Sequence, residues 1–202
     1  MFTVADLVYV IPTIFISLAI HEAMHAFTAH SLGDDTAKLA GRLTLNPLKH
    51  IDLFTTVVLP IITIFLFGFP ILIAKPVPFN PYKVKYGEYG AALVGVAGPV
   101  TNLLLAALAA IFLRFISMPI DITKFLVIFT ELNVLYFIIN MIPIPPLDGS
   151  RLLYAFSPES IQKLLYKIES YGYLSIMLVF ILVYYFYGPI QYVAQHIINV
   201  LL

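Results

Sequence analysis

The segment His21-Glu22-Ala23-Met24-His25 places three side chains capable of metal chemistry within five residues. Residues four apart share one face of an α-helix, so both imidazoles can reach a single metal ion. Glu22, beside the first histidine, is in position to accept a proton from water. Zn²⁺ suits this set because it binds neutral imidazoles and keeps one position open in catalytic sites. The alternative is a polar interhelical role, but ionisable groups inside a membrane span are costly and usually functional.

A catalytic zinc site with two histidine ligands needs a third protein ligand. His30, His50 and His196 lie in polar or interfacial segments, so we expect loop or solvated roles for them rather than metal binding. Asp148 follows a proline-broken helix end and precedes Gly149, so a turn there could direct its carboxylate inward. An Asp before Gly is more often a simple turn residue. The preceding apolar run and the missing ligand nevertheless favour Asp148.

The composition is that of a membrane protein. Of 202 residues, 61% are hydrophobic and 11% charged, the formal net charge is zero, and there is no cysteine. Soluble domains are about half apolar and a quarter charged, and disordered chains are poor in apolar residues. Zero net charge gives no basic field for nucleic acid, and the lack of cysteine excludes disulfides and thiolate sites. This length suits a single all-α domain of about four to six transmembrane helices.

Apolar runs along the chain predict where those helices lie. The first run has no Lys or Arg before Lys38 and carries the histidine motif, so we expect a retained membrane helix rather than a signal peptide. Tyrosines at both ends of the last run resemble an aromatic belt. Residues 190–202 follow a break at Gly188-Pro189 and are expected to form an interfacial helix. The runs cover about 4–29, 53–74, 89–117, 123–147 and 171–187.

Two stretches depart from simple helices. Residues 39–46 alternate partly in polarity and end at Asn46-Pro47, which predicts a short β element. Residues 53–76 contain Pro60, Gly68 and Pro70 and lead into a proline-rich tail, which predicts a re-entrant or broken segment. The 39–46 stretch or the 76–81 tail could offer a strand edge to an unwound substrate.

Depth and charge together predict the topology. His21 lies about 16 residues into the first helix, or roughly 24 Å, which places a metal in the far third of the bilayer core. Asp148 reaches the same side only if 53–74 does not cross completely. That arrangement puts Lys38, Arg42, Lys49, Lys75, Lys83, Lys85, Arg151, Lys163 and Lys167 on the metal side and only Arg114 and Lys124 on the other. The positive-inside rule then predicts an active site that opens to the cytoplasm and an N-terminus outside.

The motifs taken together resemble those of the site-2 protease family of intramembrane zinc metalloproteases, peptidase family M50. Besides the histidine motif, the matching segments are GRLTLNPLKHID (41–52), AKPVPFNP (74–81), GPVTN (98–102) and NMIPIPPLDG (140–149). The resemblance implies that His21, His25 and Asp148 bind one zinc ion and that Glu22 is the general base. It also implies that Asn102 and Asn140 line the active site and contact substrate. No PDZ-type insertion or CBS-like domain is recognisable, as in a minimal form of the family.

The expected protein is a single integral-membrane domain over 1–202, with a catalytic core over about 4–150 and C-terminal helices over about 151–202. The predicted reaction is hydrolysis of peptide bonds in or near transmembrane segments of membrane proteins, within the lipid bilayer and without nucleic acid. One alternative is a metal-binding transporter, which does not need Glu22 as a base and more often shows inverted repeats. The other is a pseudo-protease that binds membrane proteins without cutting them, against which the intact Glu22 argues.

Overall fold

The computed structural model describes residues 4–50, Val58 and 77–202. The predicted re-entrant segment over 53–76 therefore lies almost wholly outside the described residues. Short 3₁₀ turns occupy Val4–Asp6 and Pro47–Lys49. The α-helices of the described part are α1 (Leu7–Ser31), α2 (Thr36–Leu39), α3 (Glu88–Phe115), α4 (Ile120–Asn140), α5 (Ser150–Phe156), α6 (Glu159–Glu169), α7 (Tyr173–Tyr185) and α8 (Tyr187–Leu201).

Three of these helices are long and apolar enough to cross a membrane. They are α1, α3 and α4, with 25, 28 and 21 residues. At about 1.5 Å per residue, each exceeds the roughly 30 Å of a bilayer core. Helices α6 and α7 meet at a bend of 97° and make a fourth candidate if they form one broken span. The described residues thus hold three or four candidate spans, and the chain is a multi-pass membrane protein.

The three long helices pack side by side with alternating directions. Tyr9 of α1 bonds Asp121 in the first turn of α4, and Ser17 of α1 bonds Asn133 farther along α4, so these two helices run parallel. Helix α3 is antiparallel to both, because Asn102 lies beside His21 whereas Val94, two turns earlier in α3, lies beside His25. A side chain at Gly95 would meet the backbone oxygen of Asp148 at 2.9 Å. Small residues such as this one allow the close approach that holds helices together in lipid.

The C-terminal helix begins earlier than the sequence predicts. The expected break at Gly188-Pro189 is wrong, since α8 starts at Tyr187 and includes both residues. Proline is tolerated in the first turn of a helix because its missing N–H would have no intrahelical partner there. Ala194 and Ile198 of α8 pack against Ala106 of α3 and Val134 of α4. Helix α8 therefore belongs to the packed bundle.

The predicted β element over 39–46 is wrong. Helix α2 ends at Leu39 and is followed by turns, and no strand occurs in the ranges that the structure describes. Gly41 has φ +66°, a left-handed conformation that interrupts an extended run. The amide of Arg42 donates to the oxygen of Ala37 at 2.8 Å, which closes a helical turn. Partial alternation of polarity failed as a signal because a strand also needs a partner strand.

The chain flanking residues 51–76 leaves and returns at the same end of α1. Val77 packs against Ala26 of α1 and Ala37 of α2. The amide of Lys85 donates to the oxygen of Leu32, just beyond α1, at 2.9 Å. Helix α3 therefore starts beside the C-terminal end of α1. Since α3 starts at this end and runs back, α4 can run parallel to α1. The C-terminal end of α4 then lies on the same side of the bundle as the C-terminal end of α1.

Candidate metal centre

Two histidines of α1 and one carboxylate from the loop after α4 converge within the helix bundle. The Nε2 atoms of His21 and His25 lie 3.0 Å apart. The Asp148 Oδ2 atom lies 3.0 Å from Nε2 of His21 and 3.3 Å from Nε2 of His25. Both histidines are buried. Among the described residues, these three form the only group of His, Cys, Asp or Glu that could hold a metal ion together, with ligand atoms within 4.8 Å of one another.

The hydrogen bonds at the other ring nitrogens leave both Nε2 atoms free to bind a metal. Nδ1 of His25 lies 2.7 Å from the backbone oxygen of Val94, which can only accept. Nδ1 of His21 lies 2.5 Å from Oδ1 of Asn102. Each ring therefore carries its proton on Nδ1 and presents an unprotonated Nε2 to the other ligands. Metal-binding histidines are commonly oriented by such acceptors.

A chain of side-chain amides fixes the orientation of Asn102. Its Nδ2 donates to Oδ1 of Asn133 at 2.8 Å. Asn133 in turn donates from Nδ2 to Oγ of Ser17 and to the oxygen of Phe129, each at 2.8 Å. Asn102 and Asn133 are fully buried. Because Nδ2 of Asn133 donates to the backbone oxygen of Phe129, its Oδ1 is the atom that faces Asn102 and accepts from it. The amide nitrogen of Asn102 is therefore turned toward Asn133 and its oxygen toward His21, and the tautomer of His21 follows.

The absence of a side chain at Gly98 makes room for the histidine pair. A Cβ atom built there would lie 2.7 Å from Nε2 of His21 and would also collide with His25. Val94, Gly98 and Asn102 are spaced by four residues on one face of α3. That face therefore supplies an acceptor for His25, a gap for both rings and an acceptor for His21.

The loop after α4 carries Asp148 to the histidines. Helix α4 ends at Asn140, and the amide of Gly149 donates back to the oxygen of Asn140 at 2.6 Å. A Cβ at Gly149 would lie 2.6 Å from the carbonyl carbon of Met141, so only glycine fits. Beyond the loop, the guanidinium of Arg151 pairs with Glu169 at 2.6 Å and lies over the ring of Phe79. These contacts anchor both ends of the Asp148 loop.

The carboxylate of Glu22 lies on the face of α1 that meets the segment 77–80. Its Oε2 accepts the backbone N–H of Val77 at 2.8 Å, and the side chain is buried. One carboxylate oxygen is thus held by a fixed donor. Glu22 follows His21 directly in the chain, so both histidines and this carboxylate share one short stretch of α1.

Other residues considered as ligands or site residues lie elsewhere. His30 pairs with Asp35 at 2.7 Å, and Nε2 of His50 bonds the oxygen of Thr44 at 2.9 Å. His196 is exposed on α8. The side chain of Asn140 donates to the oxygen of Tyr136 in its own helix at 3.1 Å. The contacts of Asn102 favour a role in orienting His21, and substrate binding by Asn102 and Asn140 stays a prediction.

Apart from Asn102, the residues that orient His21 and His25 or make room for their rings were not identified from the sequence. The sequence assigned no site role to Ser17, Val94, Gly98 or Asn133. Spacing offered a signal: Ser17 precedes His21 by one helical turn, and Gly98 precedes Asn102 by the same interval. Which partner each would meet depends on packing between helices, which spacing within one helix does not specify.

The donor set fits zinc. Two neutral imidazole nitrogens and one carboxylate oxygen form a three-ligand protein set of the kind found in catalytic zinc sites, which leave a fourth position open. The orienting acceptors at Nδ1 of each histidine complete the usual surroundings of such a site. In this structure, two of the three ligands lie on a membrane-length helix.

Comparisons with known proteins identify the family. A family model described as Peptidase family M50 matches residues 116–184. The Bacillus subtilis (strain 168) protein named "Putative zinc metalloprotease YwhC" is 35% identical over 182 residues, which is 86% of this chain and 80% of that protein. Two proteins named "Putative zinc metalloprotease Rip2" are also similar. The one from Mycolicibacterium smegmatis is 31% identical over 82% of this chain and 63% of its own length.

The Mycobacterium tuberculosis (strain H37Rv) Rip2 protein is 29% identical over 82% of this chain and 64% of its own length. No solved structure matches the chain. The identity to YwhC, spread over most of both chains, is sufficient to assign the family. The chain therefore belongs to peptidase family M50, the site-2 protease family, and is a zinc metalloprotease.

Proposed function

We propose that this metalloprotease is an intramembrane endopeptidase that hydrolyses peptide bonds in or near the transmembrane segments of membrane proteins. The observation that carries the proposal is the location of the candidate metal centre. His21 and His25 lie on α1, and their orienting partners Val94 and Asn102 lie on α3. Both helices are long and apolar enough to cross a bilayer. Peptide bonds of substrates that reach this centre therefore lie at or below the membrane surface.

The residues of the centre have distinct proposed roles. His21 and His25, through their Nε2 atoms, and Asp148, through its carboxylate, hold the zinc ion. When bound, zinc supplies a Lewis acid that polarises the attacked carbonyl and lowers the pKa of water. Glu22 acts as general base and takes the proton of the attacking water, a role in which a positioned carboxylate typically contributes about 10²–10⁴-fold to the rate.

The charge distribution supports the proposed orientation, with the site open to the cytoplasm. Arg114 near the end of α3 and Lys124 near the start of α4 lie at the bundle end away from Asp148. The end that carries Asp148 is richer in cations, which the positive-inside rule associates with the cytoplasm. The cations of the described residues at that end are Lys38, Arg42, Lys49, Lys83, Lys85 and Arg151.

Cleavage of a single-span test protein in liposomes by the purified chain tests the proposed function. Mass spectrometry should locate the cut within the span or beside it. Glu22→Gln should reduce the rate at least about 100-fold, while metal analysis still finds one zinc ion per chain. Equal cleavage by the wild type and Glu22→Gln would exclude Glu22 as the base. Cleavage confined to soluble loops of the test protein would contradict the intramembrane assignment.

A further inference from the structure

The loop after α1 contains a fully buried carboxylate, that of Asp34, which has no role in the proposed chemistry. Asp34 is 0% exposed, three residues beyond the last residue of α1. Its Oδ1 accepts the amide and the hydroxyl of Thr36, at 3.0 and 2.5 Å. Its Oδ2 accepts the amide of Asn80 at 2.5 Å. Both carboxylate oxygens are therefore engaged, one within its own turn and one by the distant segment 77–80.

Segment 77–80 is held at both of its ends by carboxylates of the first part of the chain. Its first amide, that of Val77, donates to Glu22, and its last, that of Asn80, donates to Asp34. Three residue steps separate the two amides, which at full extension span at most about 11 Å. Displacement of either end therefore shifts the other.

The sequence of this segment makes it stiff enough to transmit such a displacement. Val77 stands between two prolines, Pro76 and Pro78. Proline fixes its own φ and restricts the residue before it to extended conformations. Val77 is also buried against Ala26 and Ala37. The direction of the Val77 N–H therefore depends on where the segment is anchored rather than on local backbone freedom.

We propose that Asp34 is a positioning residue for the general base: it anchors segment 77–80 so that the Val77 N–H holds one oxygen of Glu22 and leaves the other to take the proton. The inference rests on the proposed role of Glu22. Asp34 touches neither the metal ligands nor Glu22 by any described contact and acts only through the segment. A base displaced by a fraction of an ångström loses rate without loss of the metal.

Asp34→Asn tests the inference with little change in size, because an amide offers only one accepting oxygen in place of two. Its matched control is Asp35→Asn, since Asp35 is the exposed neighbour that pairs with His30. We expect Asp34→Asn to lower kcat about ten- to hundredfold, as for groups that orient active-site residues, with KM and zinc content unchanged. The visible spectrum of the cobalt-substituted protein should also be unchanged. Asp35→Asn should keep kcat within about twofold of the wild type.

Amide hydrogen exchange provides a measurement that does not depend on activity. In Asp34→Asn, the Val77 amide should exchange at least about tenfold faster than in the wild type, whereas Asp35→Asn should leave it unchanged. Unchanged exchange at Val77 in Asp34→Asn would overturn the inference. So would equal kcat values for the two variants. A wild type that cleaves no test substrate would refute the proposed function, and the exchange measurement would still decide the positioning role.

A wild-type measurement covers the case in which Asp34→Asn does not fold. The amides of Val77 and Asn80 should show the same protection and open together as denaturant is raised, because one anchored segment carries both. A protected Asn80 amide beside an unprotected Val77 amide would overturn the inference. Thr36→Val provides a second variant, since it removes a donor to Oδ1 and leaves the bond to Asn80. It should keep kcat within about twofold.

Discussion

Oδ1 of Asn102 lies 2.5 Å from Nδ1 of His21, across 81 residues of sequence. Because the amide nitrogen of Asn102 donates to Asn133, its oxygen faces His21, which fixes the His21 proton on Nδ1 and leaves Nε2 for a metal. A buried carboxamide of one membrane-length helix thus sets the tautomer of a proposed zinc ligand on another. The same contact joins α1 to α3 at the level of the metal centre.

Asn102→Ala should therefore weaken zinc binding about 10- to 100-fold, the range measured for groups that orient metal ligands. It should also leave the oxygen of Asn133 without its donor, at a stability cost of about 1–3 kcal/mol. Competition with a chelator of known affinity measures the first effect. Asn140→Ala is the matched control, because Asn140 bonds only within its own helix and loop. Equal zinc affinities in the two variants would contradict the role of Asn102.

Gly98→Ala should abolish zinc binding and cleavage, because the added Cβ would overlap both histidine rings. Alanine is a better helix former than glycine by about 1 kcal/mol, so a loss cannot be attributed to a weaker helix. Gly188→Ala is the control, since none of the described residues lies within 4 Å of a Cβ there. Zinc content and cleavage by both variants should be measured on the same preparations. A Gly98→Ala protein with normal zinc content would show that α1 and α3 lie farther apart.

The contribution of Asp34 to stability should disappear in acid. Burial alone raises the pKa of Asp34, but hydrogen bonds from Thr36 and Asn80 and the nearby charge of Lys83 outweigh it and lower the pKa. Because the folded-state pKa lies below the unfolded value of about 3.9, the stabilisation is complete above that value and is lost as the pH falls through the folded pKa. Denaturant unfolding of the wild type and Asp34→Asn in detergent should show a difference at pH 7 that shrinks below about pH 4. A difference that is constant or grows toward low pH would contradict this assignment.

Labelling of single cysteines should place both flanks of residues 51–76 on one side of the membrane. The chain has no native cysteine, so Asp35→Cys and Tyr82→Cys provide unique sites. Both side chains are exposed at the end of the bundle that carries Asp148. A membrane-impermeant thiol reagent should label them from the cytoplasmic face and should label Ser117→Cys, between α3 and α4, from the other. Labelling of positions 35 and 82 from opposite faces would contradict the parallel arrangement of α1 and α4.

The close approach of His21 and His25, which we propose as metal ligands, could be predicted from the sequence for local reasons. His21 and His25 are one helical turn apart, and helical geometry alone puts their rings on one face. Asp148 could be predicted only by elimination, since no pattern in the sequence of residues 141–149 indicates that this turn ends beside α1. The long helices over 7–31 and 88–115 could be predicted because runs of apolar residues that exceed the bilayer thickness have no other stable state. The strand over 39–46 was mispredicted because alternation signals a strand only where a partner is present.

Sequence by itself determined the zinc metalloprotease chemistry and the membrane setting and singled out Glu22 as the predicted base, because these follow from side-chain type and from the repeat of a single helix. Tertiary structure alone decided that Asn102, Asn133 and Ser17 form one chain of hydrogen bonds, that Gly98 leaves room for two imidazoles, and that Val77 meets Glu22. These contacts join residues that are 31 to 116 positions apart or depend on a gap between helices. They are set by the direction and depth at which α1, α3 and α4 pack, which local sequence patterns do not encode.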